Sequence, residues 1–206
     1  MRTTLVLSAL LALACGCSTP APSTTDGGAQ GGHDAGTQPG NDAGTQPGND
    51  AGGTTSDPDA EFRARCIAEI NRLRATRSLP PYSAWTGVEE CVDAQATSDE
   101  RNNSPHGAWG MQAGVCDGNG QNECLGQGRD NIEGCLQQMW AEREQPGCAG
   151  CDACANAYDP NCPNCDFYGS QTGDVCGHYV NLSALYLTQA ACGFSDLGGW
   201  DVINFR

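Results

Sequence analysis

The cysteine content constrains this chain more than any other feature of its sequence. The 206 residues include 14 cysteines, and 12 of these fall after residue 60. Such a density is typical of exported domains held together by disulfides, and an even number allows every thiol to pair. The candidates for disulfide bonds are Cys66, Cys91, Cys116, Cys124, Cys135, Cys148, Cys151, Cys154, Cys162, Cys165, Cys176 and Cys192. The sequence therefore predicts a disulfide-rich fold in an oxidising compartment.

The N-terminus predicts export. Residues 1–17 combine a basic start, an uncharged apolar run and small residues before a cysteine, which is the pattern of a bacterial lipoprotein signal peptide. Cys17 is the expected lipidated residue, with Cys15 as the alternative, because processing at Cys17 leaves an even number of cysteines for disulfides. No aspartate closely follows either cysteine, so the resemblance to bacterial lipoproteins favours the outer membrane. We expect a lipid-anchored protein of the bacterial cell envelope; a secreted protein with an ordinary signal is the alternative.

Residues 18–58 are predicted to form a disordered linker. The unit Asp-Ala-Gly-Thr-Gln-Pro-Gly-Asn occurs at 34–41 and again at 42–49. A segment of glycine, proline and small polar residues buries too little apolar surface to offset its conformational entropy. As a flexible coil it would have a root-mean-square reach of roughly 35 Å. We therefore expect a tether that holds a globular domain, residues 59–206, away from a membrane.

The charge of the chain bears on its partners. The formal net charge is −15 and there is no lysine, so a chain-wide attraction to nucleic acid is excluded. Five of the ten arginines lie between Arg63 and Arg77. A solvated helix face is favoured there over a local basic stripe.

Local patterns predict three helices and two strands. The first helix begins near Asp59, where apolar residues recur at helical spacing. Capping boxes at 86–89 and 130–133 are expected to open the other two helices. The runs 188–195 and 200–205 are typical of strands joined by a turn.

Residues 148–165 form a cysteine-rich insert with the spacing Cys-x2-Cys-x2-Cys-x7-Cys-x2-Cys. Paired Cys-x2-Cys units are typical of zinc sites, but the export signal and the short spacer favour disulfides. Since the insert holds five cysteines, full pairing requires at least one bond outward, and Cys176 is the nearest candidate. Cys66 on the first helix and Cys91 on the second are expected to be bonded to each other.

Several blocks together resemble the signature of the CAP superfamily, which contains the cysteine-rich secretory proteins, the insect venom antigens and the plant pathogenesis-related proteins. The blocks are residues 70–85, His106, Trp140-Ala141-Glu142, residues 176–181 and Ala191-Cys192-Gly193-Phe194. The resemblance implies an α+β fold, a three-layer α-β-α sandwich around a central antiparallel sheet. The two C-terminal runs would be central strands of that sheet.

The resemblance also implies a cleft that holds two histidines and two acidic residues. His106 and His178 match the histidines, and Glu142 matches the acid on a helix. Two neutral imidazoles and a carboxylate suit a divalent metal, and nitrogen ligands favour zinc. The alternative is that the histidines only form hydrogen bonds within a loop-rich cleft.

The position of the second acid is less clearly defined. The superfamily places it in a Gly-Glu-Asn element downstream of the first histidine. Alignment on Asn119 puts Gly118 where the glutamate belongs, and leaves Asp117 as a possible fourth acid, with Glu123 further along.

The leading hypothesis for function is a surface-anchored, non-enzymatic domain whose cleft binds a lipid, a sterol-like molecule or a protein partner. The alternative is a zinc-dependent hydrolase in which a metal held by His106, His178 and Glu142 activates water. A zinc or redox module at 148–165 is a third class. The sequence contains no recognisable nucleophile motif and no phosphate-binding glycine loop.

Overall fold

The computed structural model describes residues 57–111 and 115–206. The predicted signal peptide at 1–17, with Cys15 and Cys17, and the predicted linker up to residue 56 lie outside the described residues. None of the helices within the described ranges has the length and apolar content that crossing a membrane requires.

The described part of the chain is a mixed α/β structure. Its helices are α1 (Ala60–Ala75), α2 (Glu89–Asn102), α3 (Ile132–Ala141) and α4 (Gly177–Ser183). Its strands are β1 (Ser83–Ala84), β2 (Gly120–Cys124), β3 (Gln189–Phe194) and β4 (Asp201–Phe205). Short 3-10 segments lie at Arg129–Asn131, Glu142–Glu144, Pro146–Cys148 and Cys151–Cys154.

These strands form one sheet in the order β1-β3-β4-β2. β4 pairs antiparallel with β3 on one side, where Ile203 lies opposite Cys192, and with β2 on the other. The two predicted C-terminal strands are therefore confirmed and occupy the centre of the sheet. β1 runs parallel to β3, so the sheet is mixed and not purely antiparallel as expected. The long stretch of chain between β1 and β3 permits this direction.

Helices pack on both faces of the sheet, because alternate residues of a strand point to opposite sides. Phe194 and Ile203 belong to a buried cluster formed with α1, α3 and α4. Ala191 and Val202, on the other face, belong to a second cluster formed with α2. A Cβ on Gly193 would lie 2.5 Å from the α2 backbone, so the missing side chain lets α2 approach β3 closely.

The predicted capping boxes do not form. α2 begins at Glu89, whose carboxylate accepts a hydrogen bond from the Gly87 amide at 2.7 Å. α3 begins at Ile132, and Glu133 turns outward to an ion pair with Arg65 at 2.6 Å. Both helices are present as predicted. Their capping boxes do not form, because Glu89 bonds within a turn and Glu133 forms a tertiary ion pair.

The arginines of α1 do not form a basic stripe, because they are paired with acids or buried. The side chain of Arg74 is buried and reaches the Leu182 carbonyl of α4. The ion pairs in this region are Arg63 with Asp57 and Asp93, Arg65 with Glu133, Arg72 with Glu69 and Arg77 with Asp152.

The twelve cysteines in the described ranges form six disulfides. They are Cys66–Cys192, Cys91–Cys116, Cys124–Cys135, Cys148–Cys176, Cys151–Cys165 and Cys154–Cys162. The expected bond between Cys66 and Cys91 is wrong. Their helices, α1 and α2, lie on opposite faces of the sheet, so each cysteine pairs on its own side.

Disulfides also close the cysteine-rich insert. The bond from Cys148 to Cys176 confirms the predicted connection outward. The sulfur atoms of Cys148, Cys151 and Cys176 lie within 4.8 Å of one another, but all three belong to disulfides. Zinc is bound by thiolates, and this cluster offers none. The disulfides therefore favour a cross-linked element over a zinc site at 148–165.

Candidate functional site

The two predicted histidines line one cleft of about 530 Å³. His106 lies in the loop that follows α2, and His178 lies in the first turn of α4. The amide side chains of Asn119, Gln121 and Asn181 contribute to the base of the cleft. The fold therefore brings together two side chains that are far apart in the sequence.

Glu142 holds His178 in one orientation. It lies in the short helical turn directly after α3, and its Oε1 is 2.5 Å from Nδ1 of His178. Its Oε2 accepts a hydrogen bond from the Tyr179 amide at 3.0 Å. Because an ionised carboxylate only accepts, Nδ1 of His178 carries the proton and Nε2 is left for the cleft. Both oxygens of Glu142 are engaged, so this residue is placed to orient a histidine.

Gln121 holds His106 in the corresponding way. Its Oε1 lies 2.7 Å from Nδ1 of His106, and its Nε2 donates to Oδ1 of Asn204 at 3.0 Å. Asn204 donates through Nδ2 to the Cys116 carbonyl at 2.6 Å. A carbonyl only accepts, so the direction of every bond in this chain is determined, and it ends with Nδ1–H of His106 as a donor. The free ring nitrogen of His106 is again Nε2.

Asp117 lies behind this network and not beside a histidine. It is buried, and its Oδ1 accepts a hydrogen bond from Nε2 of Gln95 at 2.5 Å. Gln95 in turn accepts from Asn204 at 2.7 Å. The residue considered as a fourth acid is therefore an anchor for the amides that orient His106.

Glu123 supports the loop that carries His106. Its Oε1 accepts a hydrogen bond from the His106 amide at 2.9 Å, while Asp99 accepts from the Ala108 amide at 2.6 Å. Burial, together with a hydrogen bond to Asp99, raises the pKa of Glu123 to about 8. A protonated Glu123 carboxyl can donate a hydrogen bond to Asp99. This support holds His106 in a left-handed conformation with φ of 58°.

Aromatic residues of the region around the insert form one wall of the cleft. The ring centroids of Phe167 and Tyr168 are 4.7 Å apart, and those of Tyr158 and Phe167 are 5.4 Å apart. The hydroxyl groups of Tyr158 and Tyr168 are 2.9 Å apart. Trp109 also lines the cleft. The insert thus contributes directly to the site.

A second contact connects the insert to the histidine helix. The hydroxyl of Tyr179, the residue after His178, donates to Oδ1 of Asp152 at 2.5 Å. Arg77 forms an ion pair with the same carboxylate. The position of the insert is therefore coupled to the first turn of α4.

Sequence reasoning missed Gln121 and the aromatic wall. The signal for Gln121 is the triplet Gly120-Gln121-Asn122, which resembles the Gly-Glu-Asn element when the alignment uses Asn122 in place of Asn119. Glutamine then stands where the element has glutamate. The wall gave no local signal, because its rings come together only after the disulfides close the insert.

The residues of the cleft do not fit a three-ligand zinc site. Glu142 is occupied by His178 and the Tyr179 amide. Within residues 57–111 and 115–206, the disulfide-bonded cysteines described above are the one group of three or more histidine, cysteine or acidic residues whose ligand atoms lie within 4.8 Å of one another. Zinc sites take at least three protein ligands, so we assign no reaction step to a metal.

Comparison of the chain with models of known protein families finds no match. Comparison with curated proteins finds no significant relative.

Proposed function

We propose that residues 59–206 form a domain of the CAP superfamily. The blocks at His106 and 176–181 contribute residues to the cleft, and Glu142 bonds to His178. Gln121 aligns with the family's second acid when Asn122 is taken as the asparagine of the Gly-Glu-Asn element. Helix α2 on one face of the sheet, with α1, α3 and α4 on the other, agrees with a three-layer α-β-α sandwich. Disulfides join α1 to β3 and α3 to β2.

We further propose that the domain is a non-enzymatic binding module of the bacterial cell envelope, lipid-anchored through Cys17 or Cys15. The observation that carries this proposal is the pair of histidines that line one cleft with their Nδ1 atoms already bonded to Glu142 and Gln121. A cleft of about 530 Å³ has the size of small-molecule sites. The candidate ligands are a lipid, a sterol-like molecule or part of a protein partner.

A zinc-dependent hydrolase is the second candidate. A histidine whose Nδ1 donates to a carboxylate is a common metal ligand, but zinc at this cleft would need a third protein ligand besides His106 and His178. Metal analysis of the purified full chain distinguishes the two candidates. The binding module predicts no stoichiometric zinc, whereas zinc that is lost together with hydrolytic activity in His178→Ala would establish the hydrolase.

The binding proposal is tested by screening the full chain with a fluorescent fatty acid, a fluorescent sterol and an array of neutral oligosaccharides. A probe that binds the wild-type chain is expected to lose most of its affinity in the double variant His106→Ala/His178→Ala. Arg101→Ala is the matched control, because Arg101 is exposed on α2. Unchanged binding in the double variant would remove the cleft from the proposed function.

A further inference from the structure

We propose that the ligand of the cleft is an uncharged oligosaccharide, whose sugar rings stack on the wall of Tyr158, Phe167 and Tyr168 and whose hydroxyl groups donate to Nε2 of His106 and His178. This inference rests on the proposed function, and it narrows the class of ligand from the lining of the cleft.

The charges around the cleft favour a neutral ligand. The described residues that line it include no aspartate, glutamate, arginine or lysine. The chain as a whole carries a formal charge of −15, which repels anions. A cation would find no carboxylate in the lining to replace its hydration shell. An uncharged molecule is not repelled by the net charge, and it does not have to give up the hydration shell of an ion.

The aromatic wall offers accessible ring faces at the mouth of the cleft. Tyr168 is 68% exposed and Tyr158 is 48% exposed, although both belong to a cluster of packed rings. Sugar rings have apolar C–H faces that can cover such rings, and their equatorial hydroxyls stay in water. The disulfides of the insert hold the rings in place before a ligand arrives, which lowers the entropic cost of binding.

The base of the cleft requires hydrogen-bond donors from its ligand. Glu142 and Gln121 each accept from Nδ1 of a histidine, so in the neutral imidazole each Nε2 is an acceptor. Sugar hydroxyls supply donors for both atoms. An acyl chain supplies none and would leave both nitrogens desolvated without partners, which costs free energy. Val175 is the one branched aliphatic side chain among the described residues of the lining, so the apolar part of the lining is mainly aromatic.

The test begins with the full chain on an array of neutral oligosaccharides, followed by calorimetric titration with the best binder. Tyr168→Ala is expected to weaken binding about tenfold, because it removes a stacked ring. Tyr168→Phe keeps the ring and is expected to bind within a factor of about two of the wild type. Leu197→Ala is the matched control, because Leu197 is exposed in the turn between β3 and β4. Both positions are exposed, so the three variants are expected to fold.

Three outcomes would overturn the inference. Binding of the fluorescent fatty acid or sterol in the cleft, with no oligosaccharide bound, would leave the proposed function intact but identify a lipid as the ligand. Oligosaccharide binding that is equal in Tyr168→Ala and wild type would place the sugar elsewhere. If neither class of probe binds, the inference fails, and a protein partner is the one candidate ligand left to the proposed function.

Discussion

The tautomers of the two histidines depend on single hydrogen-bond partners. Glu142 accepts from both Nδ1 of His178 and the Tyr179 amide, whereas a glutamine in its place has only one accepting oxygen. Glu142→Gln is therefore expected either to lose about 1–3 kcal/mol of unfolding free energy, the cost of an unpaired buried donor, or to move the His178 proton to Nε2. Denaturant unfolding measures the first effect, and nitrogen-15 NMR of the imidazole measures the second.

Glu144→Gln is the matched control for this variant, because Glu144 lies in the same helical turn and is exposed. A Glu142→Gln protein with wild-type stability and an unchanged His178 spectrum would show that the carboxylate does not orient the ring.

The raised pKa of Glu123 predicts how the stability of the protein depends on pH. Its pKa is about 8 in the folded protein, compared with an ordinary value of 4.5. The folded state therefore binds an extra proton between these values, and the free energy of unfolding falls as the pH rises from about 4.5 to about 8. Burial raises the pKa of Asp201 to about 7, which has the same sign. We expect the melting temperature to decrease over this range.

Glu123→Gln tests this assignment, because an amide can donate to Asp99 as the protonated carboxyl does. At about pH 9 the variant is expected to melt several degrees above the wild type, and at about pH 5 the two should be similar. Thermal melts across this range, with Glu144→Gln as the control, provide the measurement. If the melting temperatures of Glu123→Gln and the wild type change with pH in the same way, the role assigned to this carboxyl group is wrong.

The residues of the site were predictable to different degrees. His106, His178 and Glu142 stand in blocks with local sequence signals, and the structure places the two histidines on one cleft with Glu142 behind His178. Gln121 was missed because Asn119 and Asn122 allow two alignments. The direction of its hydrogen bonds depends on Asn204, on another strand, which no local pattern connects to His106.

At the scale of elements, Arg74 connects α1 to the helix that carries His178. Its guanidinium stacks 3.6 Å from the ring centroid of Tyr82. It donates hydrogen bonds to the carbonyls of Leu182 at 2.6 Å and Ala184 at 3.1 Å. These carbonyls are at the C-terminal end of α4, where helical partners are absent. The buried charge is thus balanced by carbonyl dipoles and an aromatic face.

Arg74→Lys is expected to destabilise the protein by about 2–4 kcal/mol, because one ammonium group cannot reproduce the planar fork and the stacking. Denaturant unfolding measures the change. Arg72→Lys is the matched control: Arg72 is on the same helix, but its pair with Glu69 is largely exposed on the arginine side, and the expected change is below about 1 kcal/mol. Equal effects of the two substitutions would contradict the role assigned to Arg74.

The Cys148–Cys176 bond fixes the base of the insert and therefore the aromatic wall. Replacement of both cysteines by serine is expected to cost about 2–4 kcal/mol and to make residues 149–175 the first site of limited proteolysis. The corresponding change at Cys154–Cys162, which closes a much shorter loop, is the control and is expected to have a smaller effect. If proteolysis of the Cys148→Ser/Cys176→Ser variant begins outside residues 149–175, the Cys148–Cys176 bond does not hold the aromatic wall in place.

Elements with strong local patterns were predictable, and their contacts were not. The first helix follows from periodicity, the next two were predicted from capping-box sequences, and the C-terminal strands from two runs joined by a turn. β2 contains glutamine, asparagine and glutamate and has no apolar alternation. Helix α4 was not predicted either, because its seven residues are held mainly by tertiary contacts. The predicted bond between Cys66 and Cys91 was wrong, because the order of two helices along the sequence does not reveal which face of the sheet each helix covers.

At the scale of the whole molecule, the proposed anchor gives a direct prediction. Cys17→Ala is expected to abolish metabolic labelling with radioactive palmitate and to release the protein from the membrane fraction, whereas Cys15→Ala should leave both unchanged. If the label persists in Cys17→Ala but is lost in Cys15→Ala, the lipid is attached to Cys15. Labelling in neither wild type nor variants would support a secreted protein.

The order of the strands in the sheet determines what β4 contributes to the fold. β4 contains residues 201–205 and lies between β3 and β2, so one of the two inner strands is also the last of the four strands along the chain. Without β4, no strand joins β2 to β3. Residues 201–205 are therefore required to complete the sheet, and β2 has no strand partner among the described residues without them.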